Sequence, residues 1–494
     1  MGKAISKIKK QKIFSNFVNF IKNNLILILI LALAFFLRIY RIDELTTFGG
    51  DQGQDFLVVK NMVLYHKWTL LGIKTSGYSF FQGPVYLYMI YPFFVLFNLN
   101  PISGAIAAVF YSILTIIILY FLCVRFFSKR IAIISSLLFA VSGELIIFGN
   151  TPLYQHFLPL FIVISIYLFL IEDKNHFLYL LLGLSIGIGI ELHLLNVTLF
   201  VALIVYLMVY EKNKLRNIFG YITGVILGLS PTIAFELRHD FLNTKYFLNF
   251  EPQNKIQITF FGIIREWFKG FMIYFGGNSV FLGISILLIS LFIFFKKYQS
   301  KNFIKLKRLS IILIIVSILL SIFFSIFGQH YLIPFWLILL IIIPLGLENI
   351  FGKKVSTVIF TVLVIVNLMF SIGRLNYNHG YSMPEGWTLK KIVSTSKIIS
   401  QDSLDHPNFN VAALLDAVTR AYPLRYAVEV YGITPESVEN YPSNNYLYVV
   451  TNYNQEKMFE ITTWEVTSFK PFEIGKTWDL QDGIYLYRLD RIRS

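Results

Sequence analysis

The chain has 494 residues, of which 56% are hydrophobic and only 14% are charged, and its mean hydropathy is +0.65. Apolar runs long enough to cross a bilayer recur along most of the chain, which excludes a soluble, secreted or disordered protein. The net charge of +15 does not indicate nucleic-acid binding, because the basic excess lies in short loops of the apolar part, and the single cysteine, Cys123, excludes an intramolecular disulfide and a cysteine metal cluster.

The first apolar run, residues 24–40, follows a segment with six lysines and no acid. Lys and Arg mark the cytoplasmic ends of membrane spans, so the N-terminus is predicted to be cytoplasmic. The segment lacks a small-residue cleavage site, which favours a retained anchor over a signal peptide. Ten further spans, making eleven, are predicted at 102–124, 131–148, 155–171, 177–193, 195–210, 217–235, 271–295, 309–327, 331–347 and 355–372. In span 177–193, Gly183 and Gly187 form a small-xxx-small pattern that is typical of close helix packing.

The apolar stretch Pro84 to Phe97 is ambiguous, since its 14 residues are too few for a full span. The basic loops decide its placement. If 84–97 does not cross, the loops near 125–130, 212–216, 296–308 and 353–354 all lie in the cytoplasm, as their charge requires. We therefore predict a juxtamembrane helix within one long outer loop, residues 41–100. The polypeptide after residue 373 is then also placed outside.

The last 121 residues, 374–494, are polar and evenly charged, with 14 acids and 12 Lys or Arg. This change of composition divides the chain into a transmembrane module, 1–373, and a small soluble extracytoplasmic α/β domain. Helices are predicted near 388–400 and 419–431, and strands at 409–415, 446–451 and 484–489. The expected fold class is thus an α-helical polytopic protein of the cell membrane with a small C-terminal α/β domain.

Ionisable and polar residues gather at the outer side of this topology. Such groups are costly in a membrane and mark functional sites. The set comprises Asp51, Asp55, Glu144, Gln155, His156, Glu191, His193, Glu236, Arg238, His239, Gln329 and His330. Taken singly, a residue such as His193 or Glu144 is about twice as often a satisfied interhelical hydrogen-bonding group as a catalyst. Together they predict a polar cavity, which a transporter vestibule would also produce.

The most distinctive local motif is Gly49-Gly50-Asp51-Gln52-Gly53-Gln54-Asp55, directly after the first span. Glycines allow a tight backbone and close approach by a ligand, and Asp55 is a candidate cap for the helix that follows. A partly desolvated Asp51 has the chemistry of a general base that deprotonates a hydroxyl. A solvated turn with a capping Asp explains the same spacing equally well.

Several short motifs resemble those of membrane glycosyltransferases of the C-type superfamily, and in particular the bacterial branch related to protein O-mannosyltransferases and lipid A aminoarabinose transferases. The motifs are Arg38-Ile39-Tyr40, Gly50 to Asp55, Gln82-Gly83-Pro84-Val85-Tyr86, Asn150-Thr151-Pro152, Leu192-His193, Phe235 to His239 and His330 to Pro334. They follow the family's order over most of the chain.

The resemblance implies transfer of a sugar, in a mannosyltransferase-like reaction, from a polyprenyl-phosphate donor to a lipid, glycan or protein acceptor at the outer face, with inversion at the anomeric carbon. Asp51 matches the first-loop Asp that serves as base in that family. The substrate-binding candidates are Gln52, Gln54, Asp55, His156, His193, Glu236, Arg238, His239 and His330. Gln52 and Gln54 stand where many relatives carry an acid or an Arg. The family's second carboxylate has no counterpart in the loop 149–156.

No cofactor is predicted with certainty. Metal dependence stays open, because Asp51 with Asp55 is too little to specify a divalent ion. The expected partners are the donor lipid, the acceptor and membrane lipids. Two other functions compete with the transferase: a transporter or lipid flippase that uses Glu144, Glu191 and His193, and a scaffold that binds a partner through residues 374–494.

Overall fold

The computed structural model describes residues 24–74, 80–172, 175–212, 214–248, 259–324 and 332–492. Most of them are helical. The first loop contains short helices between the first two long ones, as the sequence predicts. The helices up to residue 374 are α1 Asn24–Ile39, α2 Ile42–Leu45, α3 Gly50–Tyr65, α4 Val85–Leu96, α5 Ile102–Phe126, α6 Lys129–Val141, α7 Gly143–Phe148, α8 Leu158–Leu170, α9 His176–Leu192, α10 Val197–Tyr210, α11 Lys214–Gly228, α12 Ser230–Arg238, α13 Leu242–Leu248, α14 Phe260–Phe275, α15 Val280–Phe295, α16 Lys301–Phe324 and α17 Ile333–Arg374.

Two predicted single spans are bent helix pairs. Helices α11 and α12 meet at 69°, where Pro231 starts a new helix after Gly228, and α14 and α15 meet at 104°. The second bend is made by Gly277 and Asn278, both with positive φ. Span 131–148 is likewise divided at Ser142, and α17 changes direction at Gly352 (φ 74°) between the two spans predicted there.

By length and composition, two of the described helices, α5 and α17, could cross a membrane, and up to four could if each bent pair counts as one span. Further apolar helices of 10–17 residues include α1, α4, α9 and segments around α8 and α10. The total of eleven spans therefore stays a prediction.

Contacts between basic loops gather them at one end of the helices. Arg130 pairs with Glu348 (3.2 Å) and its guanidinium donates to the carbonyl oxygen of Lys353 (2.6 Å). Asn302 donates to the carbonyl oxygen of Phe126 (3.2 Å), which joins the 296–302 loop to the same region. Three of the four loops that the charge pattern assigned to one side thus lie together.

Helices α9 and α11 pack backbone against backbone through glycine, as the small-xxx-small pattern predicts. A Cβ on Gly183 would lie 1.9 Å from the carbonyl oxygen of Tyr221, and one on Gly187 would lie 2.5 Å from that of Val225. This packing fixes the end of α9, where Glu191 lies in the last turn and His193 directly follows the helix.

The C-terminal region contains a four-stranded sheet of order β1-β2-β4-β3. Strand β1, Phe409–Ala413, is parallel to β2, Tyr446–Thr451, whereas β3, Phe472–Asp479, and β4, Tyr485–Arg491, are antiparallel to their neighbours. Helices α18 Leu389–Asp402, α19 Tyr422–Tyr431, α20 Gln455–Met458 and α21 Trp464–Thr467 accompany the strands. The small predicted α/β unit is present, with β3 as an additional strand.

The C-terminal region packs directly on the first-loop helices α3 and α4 and shares one hydrophobic cluster with them. The ring of Tyr426 lies 5.5 Å from that of Phe56, and its hydroxyl donates to the carbonyl oxygen of Leu99 (2.6 Å). Lys60 on α3 forms a largely buried ion pair with Glu429 on α19. Residues 374–494 therefore help to fix the loop that carries Asp51.

Candidate active site

Helix α3 starts inside the Gly-Asp-Gln motif. Gly49 is its N-cap, and the Gln52 side-chain oxygen accepts a hydrogen bond from the Gly49 amide (3.0 Å). The buried Gln52 side chain therefore caps the helix through this hydrogen bond, whereas Asp55 lies in the second turn and caps no backbone amide. The prediction that Asp55 is the cap was wrong, because the helix begins at Gly50, five residues before Asp55.

The glycines of the motif admit protein rather than ligand. A Cβ on Gly50 would lie 2.9 Å from Val418 Cγ2, and one on Gly53 would lie 2.3 Å from the backbone nitrogen of Pro423. The prediction that Gly50 and Gly53 leave room for a ligand was wrong, because the C-terminal region packs closely against both. Sequence alone could not reveal a partner about 370 residues away.

Asp51 and Asp55 lie one helical turn apart on the same face of α3. Asp51 is half-buried, and burial raises its pKa above the ordinary value. Asp55 is only 1% exposed, and burial together with the charge of Asp51 raises its pKa well above the ordinary value. Of the two carboxyl groups, Asp55 is the one whose pKa is raised more strongly, because it is the more deeply buried.

Two tyrosines lie near the two carboxyl groups. The pKa of the buried Tyr86 hydroxyl is raised by burial and by the charge of Asp55, and that of Tyr154 is raised by burial and by both aspartates. The Tyr154 ring lies 5.6 Å from the His193 ring. Tyr154 was missed in the sequence, although its place in the short loop before His156 was an available signal.

The two histidines of this region have defined local roles. His193 Nδ1 accepts a hydrogen bond from the Leu195 amide (3.2 Å), so in the neutral ring the proton is on Nε2. His156 Nδ1 donates to the carbonyl oxygen of Thr151 (2.8 Å), and its ring stacks on Phe148 at 4.2 Å. His193 is tied to the aspartates through Tyr154, and His156 follows Tyr154 in the same 3₁₀ turn.

The candidates at the end of α12 are less closely connected to Asp51. Glu236 is buried and accepts from the Thr244 amide (3.3 Å), whereas Arg238 and His239 are exposed. His239 donates to the carbonyl oxygen of Phe235 (2.9 Å). Among the described residues no contact joins these three side chains to Asp51. The predicted site residue His330 lies outside the described residues, and Gln54 is half-exposed on α3.

No group of three or more His, Cys, Asp or Glu side chains that could hold a metal ion occurs in the part of the chain that the structure describes. Asp51 and Asp55 offer two carboxylates, which is fewer than the usual oxygen set of a divalent ion. The described site combines an acidic pair with neighbouring tyrosines, an arrangement that suits deprotonation of a hydroxyl and contact with a sugar ring.

Residues 82–235 match the family described as dolichyl-phosphate-mannose-protein mannosyltransferase. The structure of ArnT from Cupriavidus metallidurans bound to undecaprenyl phosphate is similar over 94% of this chain and 97% of that one, with a TM-score of 0.63 and 12% identity. The chain has the fold of a C-type membrane glycosyltransferase. No curated protein sequence matches it.

Two other solved glycosyltransferases share this fold. The Archaeoglobus fulgidus oligosaccharyltransferase is similar over 86% of this chain and 69% of its own, with a TM-score of 0.50 and 12% identity. Arabinofuranosyltransferase AftD from Mycobacteria is similar over 94% of this chain but 39% of its own, with a TM-score of 0.55 and 14% identity. These likenesses confirm the predicted resemblance, and they do not favour the transporter.

Proposed function

We propose that the protein transfers a sugar from a polyprenyl-phosphate-linked donor to a lipid, glycan or protein acceptor at the outer face of the membrane, with inversion at the anomeric carbon. The observation that carries this proposal is the half-buried Asp51 beside the fully buried Asp55. Support comes from the fold, which is similar to that of ArnT, a protein that binds undecaprenyl phosphate.

In the proposed reaction, the Asp51 carboxylate takes the proton of the acceptor hydroxyl. The acceptor oxygen then forms a bond to the anomeric carbon from the side opposite the phosphate. The bond between that carbon and the phosphate oxygen breaks, and its electron pair leaves with the polyprenyl phosphate. Sugar, proton and charge are thus balanced, and one displacement inverts the configuration.

The two aspartates divide the work according to their burial. Asp51 is accessible and keeps the negative charge, so it is the base. In this proposal the enclosed Asp55 holds its proton, so no second negative charge lies beside Asp51. The neutral carboxyl group is then a hydrogen-bond donor next to Tyr86. Among the substrate-binding candidates outside α3, His193 is proposed to act beside this pair, because its ring lies 5.6 Å from that of Tyr154, whose pKa is raised by burial and by both aspartates.

The leaving phosphate needs cationic or hydrogen-bonding donors. Arg238 and His239 are proposed for this role because both are exposed at the end of α12 and remain able to bind a ligand, and His330 is proposed from the family likeness alone. A guanidinium suits a phosphate because its planar donors can reach two oxygens. Glu236, in the same turn, would set the position of this segment through its bond to Thr244.

The proposed sidedness places the N-terminus in the cytoplasm and residues 41–100 and 374–494 outside the cell membrane. Its test is labelling of single introduced cysteines, because the native Cys123 is buried. A cysteine at the exposed Ser394 should react with an impermeant maleimide on intact cells, and one at the exposed Lys353 should react only after lysis. The reverse pattern refutes the orientation.

The experiment for the activity follows release of polyprenyl phosphate from a panel of radiolabelled polyprenyl-phosphate sugars by purified protein in liposomes. Asp51→Asn should slow transfer on the order of 10²- to 10⁴-fold, as removal of a general base does, while donor binding persists. The matched control is Asp43→Asn, an acid in the same loop and outside the site. Equal rates for Asp51→Asn and the wild type would reject Asp51 as the base.

A further inference from the structure

Glu191, at the C-terminal end of α9, is a buried carboxyl group with one unused oxygen. It is 2% exposed, and its Oε1 accepts a hydrogen bond from the Thr232 amide (3.3 Å) at the start of α12. Its Oε2 has no hydrogen-bond partner among the described residues. A buried acceptor without a donor is costly, and such a group in a native fold calls for a ligand or a proton.

Gly83 provides the space into which this oxygen points. A Cβ built on Gly83 would lie 1.7 Å from Glu191 Oε2, so a side chain there would displace the carboxyl group. Gly83 belongs to the turn Gln82-Gly83-Pro84 that starts α4. Burial and the charge of Glu191 also raise the pKa of Tyr88, one turn into that helix. The carboxyl group therefore faces the first loop rather than the membrane.

Two short stretches of chain connect the surroundings of Glu191 with those of the aspartates. Along α4, Tyr86 follows Gly83 by three residues, and its buried hydroxyl lies near Asp55 and has no partner in the described part of the chain. Along α9, His193 follows Glu191 by two residues, and its ring contacts Tyr154, which is near both aspartates. Glu191 thus belongs to the same polar and aromatic region as Asp51.

We infer that Glu191 binds a hydroxyl group on the sugar ring of the donor through Oε2 and so helps to select the sugar. This inference rests on the proposed function. A carboxylate accepts hydrogen bonds from hydroxyls but repels a phosphate. The rings of Tyr88 and Tyr154 are half-buried, so they can offer a flat face to the apolar side of a pyranose. A site that hydrogen-bonds a hydroxyl discriminates strongly against an analogue that lacks it.

The test compares wild type, Glu191→Gln and Glu191→Asp in the liposome assay. The donors are a polyprenyl-phosphate sugar that the wild type accepts and its monodeoxy analogues, one for each ring hydroxyl. Glutamine is isosteric and retains an acceptor for the Thr232 amide, so the fold should persist. Aspartate keeps the charge but is one methylene shorter. Glu348→Gln, which removes a carboxylate that pairs with Arg130 on other elements, is the matched control.

For the full donor, Glu191→Gln should lower kcat/KM on the order of 10- to 100-fold, chiefly by raising KM, as expected for a lost hydrogen bond to a charged group. The kcat/KM of Glu191→Asp should lie between those of Glu191→Gln and the wild type, and that of Glu348→Gln should equal the wild-type value. With one of the deoxy donors, Glu191→Gln and the wild type should have the same kcat/KM, because that donor lacks the hydroxyl that Glu191 binds.

Equal loss with every deoxy donor, or no loss with any, overturns the role of Glu191. In those cases transfer by the wild type that still requires Asp51 leaves the proposed function intact. Failure of the wild type to release lipid phosphate from any donor refutes the proposed function and this inference together.

Discussion

Replacement of Gly53 by alanine should weaken the attachment of the C-terminal region to the first loop. The added Cβ would lie 2.3 Å from the nitrogen of Pro423, 2.4 Å from the carbonyl carbon of Tyr422 and 2.8 Å from Pro423 Cδ. Ordinary carbon contacts are about 3.5–4.0 Å, so the two backbones must separate by more than an ångström. Neither can relieve the collision by rotating a side chain, and Pro423 is fixed in φ.

The size of the effect follows from two opposing contributions. Overpacking of this kind costs about 1–3 kcal/mol, and a collision with backbone belongs at the upper end. Alanine in a helix gains about 1 kcal/mol over glycine. The expected net loss is about 1–2 kcal/mol in the free energy that holds α3 against α19.

The matched control is Gly373→Ala in α17, where a new Cβ meets nothing within 4 Å. It carries the same helix-propensity gain without the collision, so its thermal unfolding temperature should equal or slightly exceed that of the wild type. Both variants are compared with wild type in detergent by thermal unfolding and by the rate of limited proteolysis in residues 374–494. Gly53→Ala should unfold at a lower temperature and be cleaved faster.

Unchanged unfolding and cleavage of Gly53→Ala would refute the close packing of α3 on residues 422–423. Equal destabilisation of both variants would show that the effect comes from the helices themselves. Transfer activity should fall with the attachment, since the docked region fixes the position of Asp51.

Three further predictions follow from the charged groups. In the proposed mechanism Asp55 holds its proton, so Asp55→Asn should retain most of the transfer rate. Burial raises the pKa of Asp51, so the acid limb of the pH–rate profile of this variant should still lie above the ordinary aspartate range. Lys60→Met or Glu429→Leu alone should lower the free energy of unfolding by about 3–5 kcal/mol, because each leaves the other charge buried without its partner. The double variant should lose far less, and a double-mutant cycle measures the difference. Burial raises the pKa of Asp416 to about 7, so the folded state binds this proton more tightly than the unfolded chain does, and the stability falls as the pH rises from about 4 to 7. Asp416→Asn should therefore raise the unfolding temperature at pH 8 but not at pH 4.

The C-terminal elements could be predicted because alternation and turn residues are local signals. Strand β2 has the predicted bounds, and β1 begins at the predicted residue. Strand β3 was missed because it lies at the sheet edge with mostly exposed side chains. Its register also shifts between Ile474 and Lys476, which interrupts the period of two.

The site could be predicted only where chemistry is written in one segment. Asp51 and Asp55 stand out because two acids and three glycines occur together after a span. The unused oxygen of Glu191 depends on Gly83, 108 residues earlier, and the packing of Gly53 depends on Pro423. Helix bends were missed for a related reason, since hydropathy along 271–295 does not register the positive φ of Gly277.

The packing of α3 against α19 also restricts the path of the chain through the bilayer. Two segments in contact occupy one compartment, so the polypeptide between Leu99 and Tyr426 must cross the membrane an even number of times. The ten spans predicted there satisfy this parity. If one bent pair, such as α14 with α15, were counted as no crossing or as two crossings instead of one, the number of crossings would become odd. Any such revision therefore requires a second one that restores the even number.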